Sequence, residues 1–297
     1  MSSQILDIHF LNRTRTAIEL DVLTLQQFYQ PRSIHSMTAA QMTAAQMTAA
    51  QRVHFNLAML FTHGEGIHTV DFQPHLYQKQ TLLFVAANQV QQFHINPTSD
   101  AFMILFTRAF LYQGQEDQPI LQHCRILDAS LQSPRLQLKD DDYQRFLSLF
   151  KEILREYKTT QSAQLQQDLL RDILLRAEHL KQTESTPGAL AAYPEFIRFK
   201  DKVEQDFAQT HNVKDYAIKL GVTPKLLNQW TQTVVNKPAK TFVDDRVILE
   251  IKRLLTHTDL PIKIIAEQTG FDEPTNLIKF YKQRCGQTPA LFRSQSR

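Results

Sequence analysis

Two stretches of the chain set polar side chains with base-reading chemistry on one face of a short helix. The first, VKDYAIKLGVTPKLLNQWTQTV at residues 213–234, offers Lys225, Asn228, Gln229 and Gln232. The second, IKIIAEQTGFDEPTNLIKFYKQR at residues 262–284, offers Thr275, Asn276 and Lys279, with Lys282 placed for a phosphate. Carboxamides can pair doubly with adenine, and a Lys ammonium donates to guanine. Both stretches share one grammar. Ala217 leads Gly221 by four residues and Ala266 leads Gly270 by four, an apolar Val222 or Phe271 follows, and Leu227 or Leu277 enters the core. A small Ala lets two helices approach closely, and Gly takes the left-handed conformation that ends the first of them. Thr223 and Asp272 are good helix starters, and Pro224 and Pro274 suit a first turn. This is helix-turn-helix spacing, in which the second helix enters the major groove of double-stranded DNA. The starts of the two second helices, at Thr223 and at residues 272–275, also present backbone N–H groups to phosphates.

Other elements must hold these faces. Between the two units, Lys240 to His257 carries a helical apolar pattern through Phe242, Val243, Val247, Ile248, Ile251, Leu254 and Leu255, which predicts a rigid joining helix. Residues 183–194, TESTPGALAAYP, gather Pro187, Gly188 and Pro194 among small residues and are expected to be a linker. Before it, helices are expected over about residues 140–182. Asp140, Asp141 and Asp142 start the first. Leu165, Leu169, Ile173, Ala177 and Leu180 stripe the second, either packing inside their own domain or forming a homodimer surface over residues 162–181. Val53–Thr62, Ile67–Phe72, Thr81–Ala87, Val90–Ile95 and Ala101–Phe106 are short apolar runs with a glycine turn at residues 63–66, the pattern of an antiparallel barrel or sandwich. Residues 37–51 repeat MTAAQ three times; five residues advance about 140° on a helix, so no single apolar face forms and a tolerated surface insertion is expected.

Length and composition agree with a two-domain chain. Its 297 residues are 42% hydrophobic. Residues 193–297 carry a net charge of +5 and residues 1–192 a net charge of −2, which fits nucleic-acid binding confined to one end. No apolar run is long enough for a membrane helix, the N-terminus lacks a secretory pattern, and Cys124 and Cys285 form no zinc spacing or disulfide framework. A cytoplasmic location follows as the default. His54, His63, His68, His75 and His94 fall on or near the expected strands without a His-x-His pair, and no phosphate loop or nucleophile turn is present. No metal, cofactor or catalytic residue is therefore expected.

The stretch from Arg246 to Arg293 resembles the AraC/XylS family of bacterial regulators. It carries Leu254-Leu255, Pro261-Ile262, Ile265-Ala266, Gly270-Phe271-Asp272, Pro274, Phe280-Tyr281-Lys282, Gly286, Thr288-Pro289 and Phe292-Arg293 in the family's order. Phe61 to Leu111, with Gly64-x-Gly66, His68, Val70-Asp71 and Phe106-Thr107, is more loosely similar to the family's sensor domain. Departures fall at Leu277 for Phe, Lys279 and Gln229 for Arg, Tyr281 for a second Phe, and Trp230-Thr231 for an apolar-Phe pair. Lys and Gln lack the forked double donor of Arg, so base preference at these positions departs from the family's. The resemblance implies an α+β fold: an N-terminal cupin-like antiparallel β-barrel (about residues 1–135) with following helices, then an all-α domain (residues 195–297) with two helix-turn-helix units joined by a long helix. It also implies a small-molecule effector, a homodimer and activation through RNA polymerase. The alternative is a cupin-type binder or enzyme with vestigial DNA binding; a regulator controlled by abundance or a partner protein is a third reading.

Overall fold

The computed structural model describes residues 6–8, 20–29, 50–94, 96–111, 125–128, 134–160, 162–183 and 187–295. The MTAAQ repeat lies outside them, except for its last two positions. The chain divides into two compact units, Leu6–Glu184 and Ser185–Arg297.

Among the described residues the first unit has ten strands. They are β1 (Leu6–Ile8), β2 (Leu20–Thr24), β3 (Gln51–Val53), β4 (Asn56–His63), β5 (Glu65–Val70), β6 (Gln73–Gln78), β7 (Thr81–Val85), β8 (Val90–Phe93), β9 (Asp100–Phe106) and β10 (Arg135–Gln137). Short helices α1 (Leu25–Tyr29) and α2 (Arg108–Leu111) and a 3-10 turn (Arg125–Leu127) connect them, and α3 (Asp140–Lys158) and α4 (Ala163–Thr183) follow. The strands form two five-stranded sheets, β1-β3-β8-β5-β6 and β10-β7-β4-β9-β2, antiparallel except where β1 meets β3. Strand alternation explains both cores. Leu57, Met59 and Phe61 of β4 enter the apolar layer between the sheets, with Val70, Tyr77, Phe93 and Met103. Ala58 and Leu60, from the same strand, turn outward against Phe146, Phe150, Leu170, Ile173 and Ala177 of α3 and α4. Both faces of this sheet are covered, which is why β4 reads as an unbroken apolar run rather than an alternating one.

The glycine turn is not a hairpin. Gly64, at φ 77°, passes the chain from β4 in one sheet to β5 in the other. The hairpin joins β5 to β6 through Asp71 and Phe72, both in the left-handed region. Asp71 anchors that turn by accepting the Val90 N–H at 3.1 Å and the Gln89 amide at 2.9 Å. On α4 most of the expected stripe packs inside its own unit: Ile173 and Ala177 are fully buried and Leu169 and Leu180 lie against them, while Leu165 at its start and the neighbouring Leu175 stay exposed.

The second unit is all helical. Its elements are α5 (Pro187–Asp206), α6 (Val213–Leu220), α7 (Pro224–Val235), α8 (Ala239–His257), α9 (Ile262–Gln268), α10 (Pro274–Cys285) and α11 (Pro289–Gln295). Residues 187–194, expected as linker, are instead the first turns of α5. Proline at the first helical position costs no hydrogen bond, and the alanines that follow favour helix. Tyr193, Phe196 and Phe199 then bury against the rest of the unit, with Phe196 edge-on to Phe242 and Phe199 edge-on to Tyr216. Pro194 sits on the exposed side of α5, where water can serve the carbonyl left without its N–H.

Candidate nucleic-acid interface

Both helix-turn-helix units fold as local chemistry dictates. Asn212 caps α6, its side-chain oxygen accepting the Lys214 N–H at 3.1 Å. Gly221 turns left-handed at φ 68°, and the Val222 N–H returns to the Ala217 carbonyl at 3.0 Å. Thr223 then caps α7, its hydroxyl accepting the Leu226 N–H at 3.2 Å ahead of Pro224. The second unit repeats this: Gly270 lies at φ 80° and the Phe271 N–H returns to the Ala266 carbonyl at 2.9 Å. Its cap differs from expectation. Glu273 rather than Asp272 takes the extended cap conformation before Pro274, and its side chain makes no cap bond.

One face of each second helix is core. Leu227, Thr231 and Val235 of α7 are buried, as are Leu277 and Tyr281 of α10. The opposite face of α7 exposes Lys225, Asn228, Gln229 and Gln232, spaced three and four residues apart; that of α10 exposes Thr275, Asn276, Lys279 and Lys282 in the same way. The side chains of Lys225, Gln229, Thr275, Asn276, Lys279 and Lys282 make no hydrogen bond or ion pair among the described residues. The other three are engaged. Thr223 is the cap, and Gln232 donates to Asn236 at 2.8 Å. The Asn228 side-chain oxygen accepts the Ala239 N–H at 3.0 Å, tying α7 to the start of α8, and its NH2 group remains to donate to a base.

The two helix starts differ electrostatically. A neutral Thr and then Lys225 open α7, which favours a phosphate at its N–H groups. Asp272 and Glu273 stand exposed where α10 begins, and their carboxylates oppose one.

Several residues that carry the sequence resemblance are scaffold. Arg246 lies 4.0 Å over the Phe207 ring and pairs with Glu204 at 2.7 Å and Glu250 at 3.1 Å. Arg293 donates to the carbonyls of Leu255 at 3.3 Å and Leu260 at 2.7 Å, satisfying groups left open where α8 ends. Asp206 accepts from Lys219 at 2.6 Å and lies 3.2 Å from Lys202; the Lys219 bond holds its carboxyl below the ordinary range. Sequence reasoning did not find the contact of His211 with Thr269 or that of Arg284 with Asp244, whose partners lie 58 and 40 positions apart.

In the first unit, His68 is fully buried in the inter-sheet layer. It meets Gln91 at 3.2 Å and the Phe93 ring edge-on at 4.6 Å. Burial pushes its pKa down to about 3, and it is neutral at ordinary pH. His75 lies opposite it in register, and His94 bonds Thr69 at 2.9 Å. Among the described residues no group of three His, Cys, Asp or Glu could hold a metal ion, and no helix is long and apolar enough to cross a membrane.

Residues 216–295 match a helix-turn-helix domain family, and residues 51–178 match the AraC-like ligand binding domain family. Together the two matches support an AraC/XylS family regulator. A DNA-binding helix-turn-helix domain and an AraC-like ligand-binding domain in one chain support an effector-responsive transcriptional regulator. Among solved structures, ToxT of Vibrio cholerae with a bound unsaturated fatty acid is 13% identical, with a TM-score of 0.42, covering 80% of this chain and 86% of that one. The C-terminal domain of the response regulator yesN of Fusobacterium nucleatum is 22% identical, with a TM-score of 0.30, covering 32% of this chain and 93% of that one. The DNA-binding domain of AdpA in complex with target DNA is 17% identical, with a TM-score of 0.32, covering 34% of this chain and 92% of that one. No curated protein sequence matches the chain.

Proposed function

We propose that the unit Ser185–Arg297 reads two successive major grooves from one side of the duplex, and that the chain activates transcription with RNA polymerase when an effector occupies the unit Leu6–Glu184. One observation carries the first part. Two equivalent exposed polar faces, on α7 and α10, are joined by the 19-residue α8. A helix of that length spans about 28 Å, close to the repeat of about 34 Å between major grooves on one side of DNA. Lys225, Asn228, Gln229 and Gln232 read one groove and Thr275, Asn276 and Lys279 the next. Lys282 and the capped start of α7 at Thr223 hold phosphates. The effector shifts the population between DNA-binding states. Self-association through residues 162–181 would use Leu165 and Leu175, the apolar side chains that α4 leaves exposed.

Footprinting on the chain's own promoter region, followed by titration at fixed salt, tests the assignment. Lys225→Ala and Lys279→Ala are each expected to weaken specific binding by about 1–3 kcal/mol, roughly 5- to 150-fold, and to relax base preference under their own groove. Unchanged operator affinity in both variants overturns the groove-facing assignment. Transcription in vitro with purified RNA polymerase then decides activation: the expected result is more transcript with the regulator than without.

A further inference from the structure

The two reading heads are in contact away from the helix that joins them. The connection from α5 to α6, residues 207–212, is fastened to the first head. Tyr216 donates to the Thr210 carbonyl at 2.8 Å, Thr210 donates to Asp215 at 2.5 Å, and Asn212 both caps α6 and donates its N–H to the Thr210 hydroxyl at 3.1 Å. The same connection lies against the turn of the second head. Phe207 joins the apolar cluster of Ile265, Ala266, Leu277 and Tyr281. Gly270 passes so close to Ala208 that a Cβ there would lie 2.6 Å from its carbonyl oxygen. His211 closes the contact: its Nε2 stands 2.8 Å from the Thr269 carbonyl, and its ring lies 4.7 Å from Phe271 and 6.2 Å from Phe280 between centroids.

The chemistry of that bond is one-way. A carbonyl oxygen only accepts, so Nε2 carries the hydrogen. Burial holds the ring below its ordinary pKa, opposed by hydrogen bonds to two backbone carbonyls, that of Thr269 and that of Phe207. The Thr269 N–H and hydroxyl bond back into α9, so this residue's outward carbonyl is the point at which the second turn is held. A second fastening lies at the far end of α10. Arg284 pairs there with Asp244, a buried carboxylate on the first half of α8 that also holds Lys240.

We propose that His211 is a positioning residue: with its loop it locks the second head onto the first, so the distance and angle between α7 and α10 are set by this seam as well as by α8. The seam rests on the two-groove reading and deepens it. It makes the chain selective for the spacing between two half-sites, because a rigid pair of heads gains from the second contact only when both sites fall in phase. One inserted base pair turns the second site by about 34° relative to the first.

The test uses the full-length chain and a series of duplexes carrying the footprinted operator with zero, one, two or three base pairs inserted between its halves, plus each half alone. Wild-type protein is expected to lose about tenfold or more on insertion. His211→Ala is expected to bind the uninterrupted operator about tenfold more weakly, to bind each half alone as wild type does, and to show a flattened spacing profile. His211→Gln, whose amide can still donate to Thr269, is expected to restore most of the preference. A general loss of folding would weaken the halves and the whole alike, so the spacing profile separates positioning from stability. If His211→Ala does not fold, Arg284→Gln opens the seam at its other end and is read in the same way. A folded seam variant that keeps the wild-type spacing profile overturns the lock alone. A wild-type chain indifferent to spacing overturns the two-groove reading, and the lock with it.

Discussion

Replacing Gly270 with alanine is expected to cost the C-terminal unit roughly 3 kcal/mol or more, whereas the same change at Gly221 costs about 1 kcal/mol. The two glycines hold the same place in the two helix-turn-helix units, and both are left-handed, at φ 80° and 68°. Each variant therefore carries the penalty of an L side chain in that region, about 1–2 kcal/mol. Their surroundings differ. Nothing lies within 4 Å of a Cβ built on Gly221, while one built on Gly270 meets the Ala208 carbonyl oxygen at 2.6 Å and its carbon at 2.9 Å. Backbone cannot swing aside as a long side chain can, so the turn or the loop against it must move, and overpacking of this kind costs about 1–3 kcal/mol more. Urea unfolding followed by the fluorescence of Trp230, the chain's one tryptophan, reads this unit selectively because the residue lies on α7. Equal losses in the two variants would mean that the loop carrying Ala208 does not rest against the second turn.

The second large effect is on the N-terminal unit in acid. His68 has a folded pKa near 3 against an ordinary value of 6.5, because burial disfavours its charge. The unfolded chain takes up the proton first, so falling pH favours unfolding. The stability tied to this group is complete above pH 6.5 and drains away between 6.5 and about 3. At about 1.4 kcal/mol per pH unit, roughly 2 kcal/mol is lost between pH 6.5 and 5, with more to follow below that. His75, also held down by burial, adds to the loss in the same sense. The double variant His68→Leu with Gln91→Leu removes the titrating ring without stranding its buried partner. Its unfolding free energy at pH 6.5 minus that at pH 5 should be smaller than the wild-type difference by about 2 kcal/mol. A pH dependence identical to wild type would show that His68 is not the group being protonated.

What sequence disclosed and what it hid follow one physical division. The helix-turn-helix units were legible because their determinants are local: a small residue, a left-handed glycine four positions on, then a cap and a proline. The inner strands were legible because apolar burial leaves a pattern within six or eight residues. β6 was missed, since QPHLYQ contains a proline and only two strongly apolar side chains, as suits a half-exposed strand at a sheet edge. The start of α5 was misread because Pro187 and Gly188 look like linker until the burial of Tyr193 and Phe196 is known. The cap at Glu273 was placed one residue early because Asp is the better capping type, while the geometry of the turn, not propensity, decides the position. His211 gave no signal at all: it pairs with a carbonyl 58 positions away, and nothing in a single sequence marks such a contact.

The bond from Asn228 to the first amide of α8 has a consequence for how such a regulator acquires new promoters. Most positions on a recognition surface can mutate and alter only the target. Here one of them is also mortised into the beam that spans the two heads, so exchanging it for another base-reading type loosens the joint while it rewrites the preference. Retargeting the first half-site is therefore easier through Lys225 or Gln229, which hold up nothing else, and position 228 should be the last on α7 to drift.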